Sequence, residues 1–114
     1  MVGFRFGYQI GMCDAHELRS KARAPEAAGF DVIHTSDHVG EGWSPLVPLM
    51  AIASVTERVR LCPLVVTNDF HHPVHLARAI AALDHSPEGR IELDIGAGHS
   101  FTDATAVGAP FDPA

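Results

Sequence analysis

The sequence predicts an α/β fold in which parallel strands alternate with helices. Three observations lead to this prediction: short stretches with strand character, helix-length segments with capping signals between them, and connections of ordinary length. Strands that alternate with helices form parallel sheets, because each helix returns the chain by a right-handed crossover. The predicted order of elements over the 114 residues is βαβαβαβ.

The first strand and the first helix have clear signals. Residues Phe4–Ile10 alternate aromatic or aliphatic residues with other types, which predicts strand one. We expect Asp14 to cap a helix over residues 15–28 and Gly29 to end it. Pro25 removes a backbone hydrogen bond, so the helix should kink there or be reset by its surroundings.

The middle of the chain predicts two more strands around a strongly apolar helix. Residues 31–36 are rich in β-branched side chains and predict strand two, and residues 61–67 form a continuous apolar run typical of a covered parallel strand, strand three. Between them, Ser44 followed by Pro45 is expected to cap a helix over 44–57. This helix is apolar on more than one face, which predicts burial on two sides.

The last part of the chain predicts one further helix and one further strand. Pro73 is expected to open a helix over 73–86, and residues 90–95 alternate as strand four. We therefore divide the single domain into a β/α core over 1–98 and a loop-like tail over 99–114.

Composition and charge narrow the function classes. A hydrophobic content of 46% with 19% charged residues is typical of a soluble globular protein. The net charge of −6, with basic residues scattered singly, argues against nucleic acid as a partner. The sequence has no apolar run of about 20 residues and no secretory signal, so we expect a cytoplasmic protein without membrane contact. Cys13 and Cys62 are expected to be reduced, buried thiols.

Short motifs along the whole chain follow one another in a recognisable order. They are Phe4–Gln9, Glu26–Asp31, Ser36–His38, Thr56–Leu61, His72–Val74, Leu83–Asp84 with Gly89–Leu93, Ile95–Gly98 and Gly108–Pro113. In this order and at this spacing they resemble the N-terminal part of the luciferase-like monooxygenase family, the bacterial-luciferase-like flavin and deazaflavin oxidoreductases. The motifs at 36–38 and 95–98 look closest to the deazaflavin-using branch.

The resemblance implies a TIM barrel of which this chain is one half. A complete barrel has eight strands in about 250 residues, whereas four strands are predicted here. The expectation is a partial TIM barrel, a half barrel, over residues 1–114, without the late loops that commonly hold a cofactor phosphate. Open sheet edges are poorly tolerated, so we expect self-association to complete or cover the half barrel. In the family, the helices predicted at 44–57 and 73–86 look like the dimer contact.

The resemblance also implies a site at the carboxyl ends of the strands. His38 is the catalytic candidate, because an imidazole suits proton transfer near neutral pH. A non-prolyl cis peptide is implied at Leu64–Val65, supporting the face of the flavin. The implied cofactor is the deazaflavin coenzyme F420 or FMN, and a small molecule is the implied substrate. The cofactor-binding candidates are Asp37, Trp43, Leu64, Val65, Asn68, Ala97 and Gly98.

Several of these residues have a simpler interpretation. Residues Gly96–Gly98 could form a dinucleotide loop, but the third glycine of that motif is missing, and close backbone approach at a barrel mouth explains them better. Residues His71–His75 include three histidines, but without a carboxylate or cysteine at ligand spacing we predict no metal site. Trp43 could line the cofactor site or only cover a helix end.

Three functions remain open from the sequence. The first is a flavin- or deazaflavin-dependent oxidoreductase or monooxygenase, inactive alone if the missing half barrel is required. The second is a non-catalytic oligomeric half barrel that acts as a binding or assembly module. The third is a non-redox enzyme that reuses the barrel mouth.

Overall fold

Parallel strands form the centre of the molecule, with helices between them in the sequence. The computed structural model describes residues 3–40, 42–85 and 89–112. In chain order the elements are β1 (Gly7–Gln9), α1 (Ala15–Ala28), β2 (Val32–Thr35), α2 (Leu46–Ala53), β3 (Arg60–Pro63), β4 (Val66–Thr67), a 3₁₀ turn (Asn68–Phe70), α3 (Pro73–His85), β5 (Ile95–Gly96) and α4 (Phe101–Val107).

The strand order confirms the predicted parallel α/β arrangement. One sheet has the order β1-β2-β3, with Ile33 of β2 between Tyr8 of β1 and Leu61 of β3. A second sheet pairs β4 with β5, and a parallel bridge between Leu61 and Ile91 links the chain segments before them. Because all these pairs are parallel, the carboxyl ends of the strands lie at one edge.

Predicted strands three and four are each divided in the structure. Predicted strand three contains the cis peptide bond Leu64–Val65 that the family resemblance implied. This bond lies between β3 and β4. Strand four is reduced to the bridge at Ile91 and to β5. At the bridge, Leu61 bonds the Arg90 carbonyl and the Glu92 amide, both at 2.9 Å, and the amide of Ile91 donates to the Asp84 side chain at 3.1 Å.

The hydrophobic core lies between the strands and the helices. Ile33 and Leu61 have no exposed surface and meet Leu49 and Ile52 of α2, which are equally buried. Burying a side chain of this size contributes roughly 1.5–3 kcal/mol. This packing holds β2 and β3 in place and thereby positions the loops that follow them. Cys62 is buried as predicted, burial raises the pKa of its thiol to about 12, and Cys13 is half-buried; both are free thiols.

The first helix follows the sequence prediction. The Asp14 carboxylate accepts hydrogen bonds from the amides of His16 and Glu17, both at 2.8 Å, and Gly29 ends the helix with φ 88°. The helix continues through Pro25, which is buried, to Ala28. The packing around Pro25 therefore maintains the helix.

Helix α2 is shorter than predicted. It covers Leu46–Ala53 and not 44–57, and its cap residue is Pro45 and not Ser44. The Arg90 guanidinium binds the carbonyl groups of Ala53 and Thr56 at 3.2 and 3.0 Å. These carbonyls are thus satisfied without further helical turns.

The prediction of a loop-like tail over residues 99–114 is wrong, because α4 covers Phe101–Val107. The Ser100 side chain caps this helix by accepting the Asp103 amide at 3.1 Å, and Gly108 ends it with φ 69°. Ser100 and Asp103 are spaced as a capping box, a helix start signal that the composition of the tail concealed.

Parts of some predictions fall outside the described residues. These are Ser86, the last residue of the predicted third helix, and Pro113 in the last motif. Among the residues that the structure describes, no helix is long and apolar enough to cross a membrane.

At the opposite edge from the carboxyl ends of the strands, the Glu26 carboxylate organises the turn before β3. It accepts the backbone amides of Arg58 at 2.7 Å, Val59 at 2.8 Å and Glu57 at 3.0 Å. Burial alone would raise the pKa of Glu26, but these backbone donors outweigh burial and hold the pKa below its usual value.

Replacing Glu26 by glutamine is expected to destabilise the protein by about 1–3 kcal/mol at neutral pH, because the amide accepts these bonds less strongly. Since the folded-state pKa is lowered, the stabilisation is complete above the unfolded-state pKa of about 4.3 and is lost as the pH falls through the folded-state value. Urea unfolding at several pH values measures this. The control is Glu17→Gln, an exposed position on the same helix, which should lower the free energy of unfolding by at most about 0.5 kcal/mol. If the difference in the free energy of unfolding between the wild type and Glu26→Gln does not become smaller in acid, the Glu26 carboxylate is not the group that stabilises this turn.

Candidate functional site

The loops after β2, β4 and β5 meet at the carboxyl-terminal edge of the strands. These loops contain most of the candidate residues from the sequence. Two clefts open there, one of about 540 Å³ and one of about 260 Å³. His38, Asp103, Ser36 and Ser100 line both clefts, so they form the wall between them.

His38 is paired with a carboxylate from the other end of the chain. Its Nδ1 lies 3.0 Å from Oδ2 of Asp103, and the second oxygen, Oδ1, accepts the Gly40 amide at 3.3 Å. The His38 side chain is 43% exposed, whereas the Asp103 side chain is only 9% exposed. The imidazole is therefore anchored on one side and open on the other.

Asp103 is the site residue that the sequence interpretation missed. It was missed because the segment containing it was predicted as a loop, whereas α4 turns its first residues toward His38. The hydrogen bond from His38 is the largest of the effects that hold the pKa of the Asp103 carboxyl below its usual value. The group is thus a carboxylate at neutral pH.

Asp37 faces away from Asp103, toward the chain after the cis peptide bond. Its Oδ2 accepts the Thr67 amide at 3.0 Å and lies 2.7 Å from Nε2 of His71. Only 8% of its side chain is exposed. Asp37 therefore ties the end of β2 to β4 and to the turn that follows.

The other candidate residues are divided between the clefts and their surroundings. Trp43 lines the larger cleft, and Leu64, Val65 and Gly98 line the smaller one. Asn68 and Ala97 line neither of these two clefts. Asn68 is exposed and donates to the neighbouring Asp69 side chain at 2.9 Å.

Two glycines allow the strands to approach closely at the smaller cleft. A Cβ on Gly96 would lie 2.6 Å from Cγ2 of Val65, and one on Gly98 would lie 2.8 Å from Cγ2 of Thr67. Gly98 also has φ 84°, which favours glycine. These contacts support the close-approach interpretation of the glycine motif over the dinucleotide loop.

The remaining histidines take separate roles. The ring of His99 packs edge-on against His38, with centroids 5.6 Å apart. His71 is held by Asp37, while His72 and His75 contact each other with centroids 5.3 Å apart. The three clustered histidines of the sequence therefore do not converge on one point.

The smaller cleft combines apolar side chains with polar groups. Leu64, Val65 and Phe70 provide apolar walls, and Gly98 leaves a backbone surface without a side chain. Ser36 and Ser100 supply hydroxyl groups that can bond ring heteroatoms.

Comparison with known proteins identifies related sequences. A family model described as luciferase-like monooxygenase matches residues 4–114. The 4-hydroxyprotoasukamycin monooxygenase of Streptomyces nodosus subsp. asukaensis is 34% identical over 90 residues, which cover 75% of this chain and 24% of that protein. The F420-dependent glucose-6-phosphate dehydrogenase of Nakamurella multipartita is 35% identical over 109 residues, covering 87% of this chain and 32% of the relative.

A solved structure shares the same fold. The oxygenating constituent of 3,6-diketocamphane monooxygenase from Pseudomonas putida, solved in complex with FMN, superposes with a TM-score of 0.82. The two chains are 23% identical, and the match covers 94% of this chain and 33% of that one. This chain therefore spans about a quarter to a third of the relatives it matches.

Replacing Asp37 by alanine is expected to destabilise the protein by about 1–3 kcal/mol, because the buried Thr67 amide loses its acceptor. Amide hydrogen exchange at Thr67, measured by NMR together with thermal unfolding, checks this expectation. The exposed Asp112→Ala serves as the control with the same loss of charge. Unchanged protection of the Thr67 amide would show that Asp37 does not tie the two loops together.

Proposed function

Because the chain belongs to the luciferase-like monooxygenase family, we propose that it forms the N-terminal part of a flavin- or deazaflavin-dependent oxidoreductase site with His38 as the acid–base residue. The observation that carries this proposal is the half-exposed His38 imidazole on the wall between two clefts, anchored by a buried carboxylate. An imidazole that is anchored through one nitrogen and partly exposed suits general acid–base catalysis.

We propose that the smaller cleft takes the ring system of the cofactor. Leu64, Val65 and Gly98 would contact the flat face of the ring, and its apolar and hydroxyl lining suits such a group. Asn68 and Ala97 lie just beyond this cleft and would contact the cofactor outside the ring. The Nakamurella relative is F420-dependent and the Pseudomonas structure contains FMN, so both cofactors remain candidates. The bound group would supply hydride transfer or oxygen activation.

Asp37 has a supporting role in this proposal. Its carboxylate is committed to Thr67 and His71, so it would hold the ring-binding loop in place beside the cofactor.

The larger cleft is proposed to take the substrate, a small organic molecule. Trp43, Met12 and Pro48 give it apolar surface, and Thr35 lies deeper at the end of β2. His38 lines this cleft as well, so its free nitrogen would exchange a proton with the substrate as the substrate is oxidised or reduced. The side chains of this chain thus bind, orient and transfer a proton.

We also propose that the protein self-associates. The apolar side chains on the outer faces of α2 and α3 are exposed: Val47 by 71%, Met50 by 40% and Val74 by 58%. Burial of such side chains drives association, which supports a homodimer through α2 and α3. Pairing of the open strand edges would be a different mode of association, and that mode would complete or cover the half barrel.

A non-catalytic assembly module is the second candidate function. The exposed apolar side chains at the two outer strands, Phe6 beside β1 and Ile95 in β5, favour it, because they offer surface to another chain. Cofactor binding separates the two candidates.

Titration with FMN and with F420, followed by absorbance and fluorescence, is expected to show binding in the micromolar range. Absence of binding of either cofactor at high micromolar concentration would remove the oxidoreductase proposal and leave the assembly module and the non-redox enzyme.

If the protein turns over a substrate, His38→Ala is expected to lower kcat roughly 10²- to 10⁴-fold with little change in the cofactor Kd, because the variant loses a proton-transfer group. Stopped-flow and steady-state kinetics measure the effect. His85→Ala, an exposed histidine at the end of α3, is the control and should retain full activity. Equal kcat in the two variants would exclude His38 as the acid–base residue.

The charged double substitution Val47→Glu with Val74→Glu is expected to convert the dimer into a monomer, because it places charges in the proposed interface. Sedimentation velocity measures the mass. Val107→Glu on α4, 43% exposed in the native chain, is the control and should leave the dimer intact. A dimer that survives the double substitution would place the interface elsewhere.

A further inference from the structure

We propose that Asp103 is a positioning residue that holds His38 in the tautomer protonated on Nδ1, so that the lone pair of Nε2 faces the clefts. Only the expected effect of Asp103 on turnover rests on the proposed function. The tautomer itself is a property of the protein alone and can be measured without cofactor or substrate.

The geometry limits which nitrogen carries the proton. Nδ1 of His38 lies 3.0 Å from Oδ2 of Asp103, a hydrogen-bond distance between a ring nitrogen and a carboxylate oxygen. A carboxylate is an acceptor only, so the bond requires a proton on Nδ1. Within the described residues Nε2 has no hydrogen-bond partner, and in the neutral ring it is then an acceptor.

The ionisation state of Asp103 supports this assignment. The His38 bond, with further help from the Gly40 amide, holds the pKa of the Asp103 carboxyl below its usual value. The group therefore accepts hydrogen bonds throughout the neutral pH range. A protonated Asp103, which could donate to Nδ1 and reverse the tautomer, is disfavoured by the same two donors.

Asp103 is itself held in place by its own hydrogen bonds. Both carboxylate oxygens are occupied, Oδ2 by His38 and Oδ1 by the Gly40 amide at 3.3 Å. Its backbone amide is held by the Ser100 side chain at 3.1 Å, which sets the residue in the first turn of α4. The folding of α4 therefore determines the orientation of an imidazole 65 residues earlier in the chain.

The other described groups around His38 form no hydrogen bond with Nε2. His99 meets the imidazole edge-on at 5.6 Å, and Ser36 and Ser100 line the same clefts. The positioning role therefore falls to Asp103, which alone among these groups bonds the ring.

The test is the direct assignment of the His38 tautomer by ¹⁵N–¹H correlation NMR of the imidazole, recorded over a series of pH values and interpreted in the spectra of the neutral ring. The expected spectrum shows protonated Nδ1 and unprotonated Nε2. A spectrum with the proton on Nε2 in the unsubstituted protein would overturn the proposal without any variant.

Asp103→Asn sharpens the test because the Gly40 amide fixes the orientation of the new side chain. The amide oxygen stays on the Gly40 donor, so the NH₂ group faces Nδ1 and donates to it. The tautomer is then expected to reverse, with the proton on Nε2. Asp112→Asn, with the same change of charge at an exposed position, should leave the wild-type pattern. A folded Asp103→Asn that keeps the proton on Nδ1 would contradict the positioning role.

Kinetics links the tautomer to the proposed function. If turnover is observed, Asp103→Asn is expected to lower kcat roughly 100-fold while the Kd for FMN or F420 changes less than about threefold. A reversed tautomer with undiminished kcat would refute the catalytic consequence. Absence of cofactor binding would refute the proposed function, and the tautomer assignment would still be decided by the spectrum.

Discussion

The position of the candidate site depends on two buried carboxylates that join loops distant in the sequence. Asp37 connects the end of β2 to the chain after the cis peptide bond, and Asp103 connects the same loop to α4. A buried carboxylate needs donors because its desolvation is costly, so each one requires its partner loop to lie within hydrogen-bond reach. The wall between the two clefts is therefore an arrangement of polar contacts on a scaffold of packed strands.

Adjacent residues serve opposite purposes in this arrangement. Asp37 turns inward to Thr67 and His71, while His38, the next residue, turns toward Asp103 and stays partly exposed. One short loop therefore contains both a side chain held by two partners and a side chain that is partly exposed. This contrast separates a residue that supports the loop from one that can exchange a proton.

The apolar surface of the molecule has a different origin. The helix-facing side of β2 and β3 is fully buried, whereas exposed apolar side chains lie on the outer faces of α2 and α3 and around the outer strands. The chain corresponds to about a quarter to a third of the length of its relatives. These exposed side chains are the ones on which the proposed self-association rests.

The sequence by itself determined the parallel α/β order, the family, the first helix with its caps, and the loops that carry His38 and Asp37. These features depend on local periodicity, on capping residues and on short motifs, all of which are readable along the chain. The sequence did not identify α4, because a segment rich in Ala, Gly and Pro resembles a loop and its capping signal spans only Ser100 to Asp103. Only the tertiary structure decided that Asp103 meets His38 and that Asp37 meets Thr67. Such contacts between residues 30 and 65 positions apart depend on the packing of strands and helices, which no local pattern encodes.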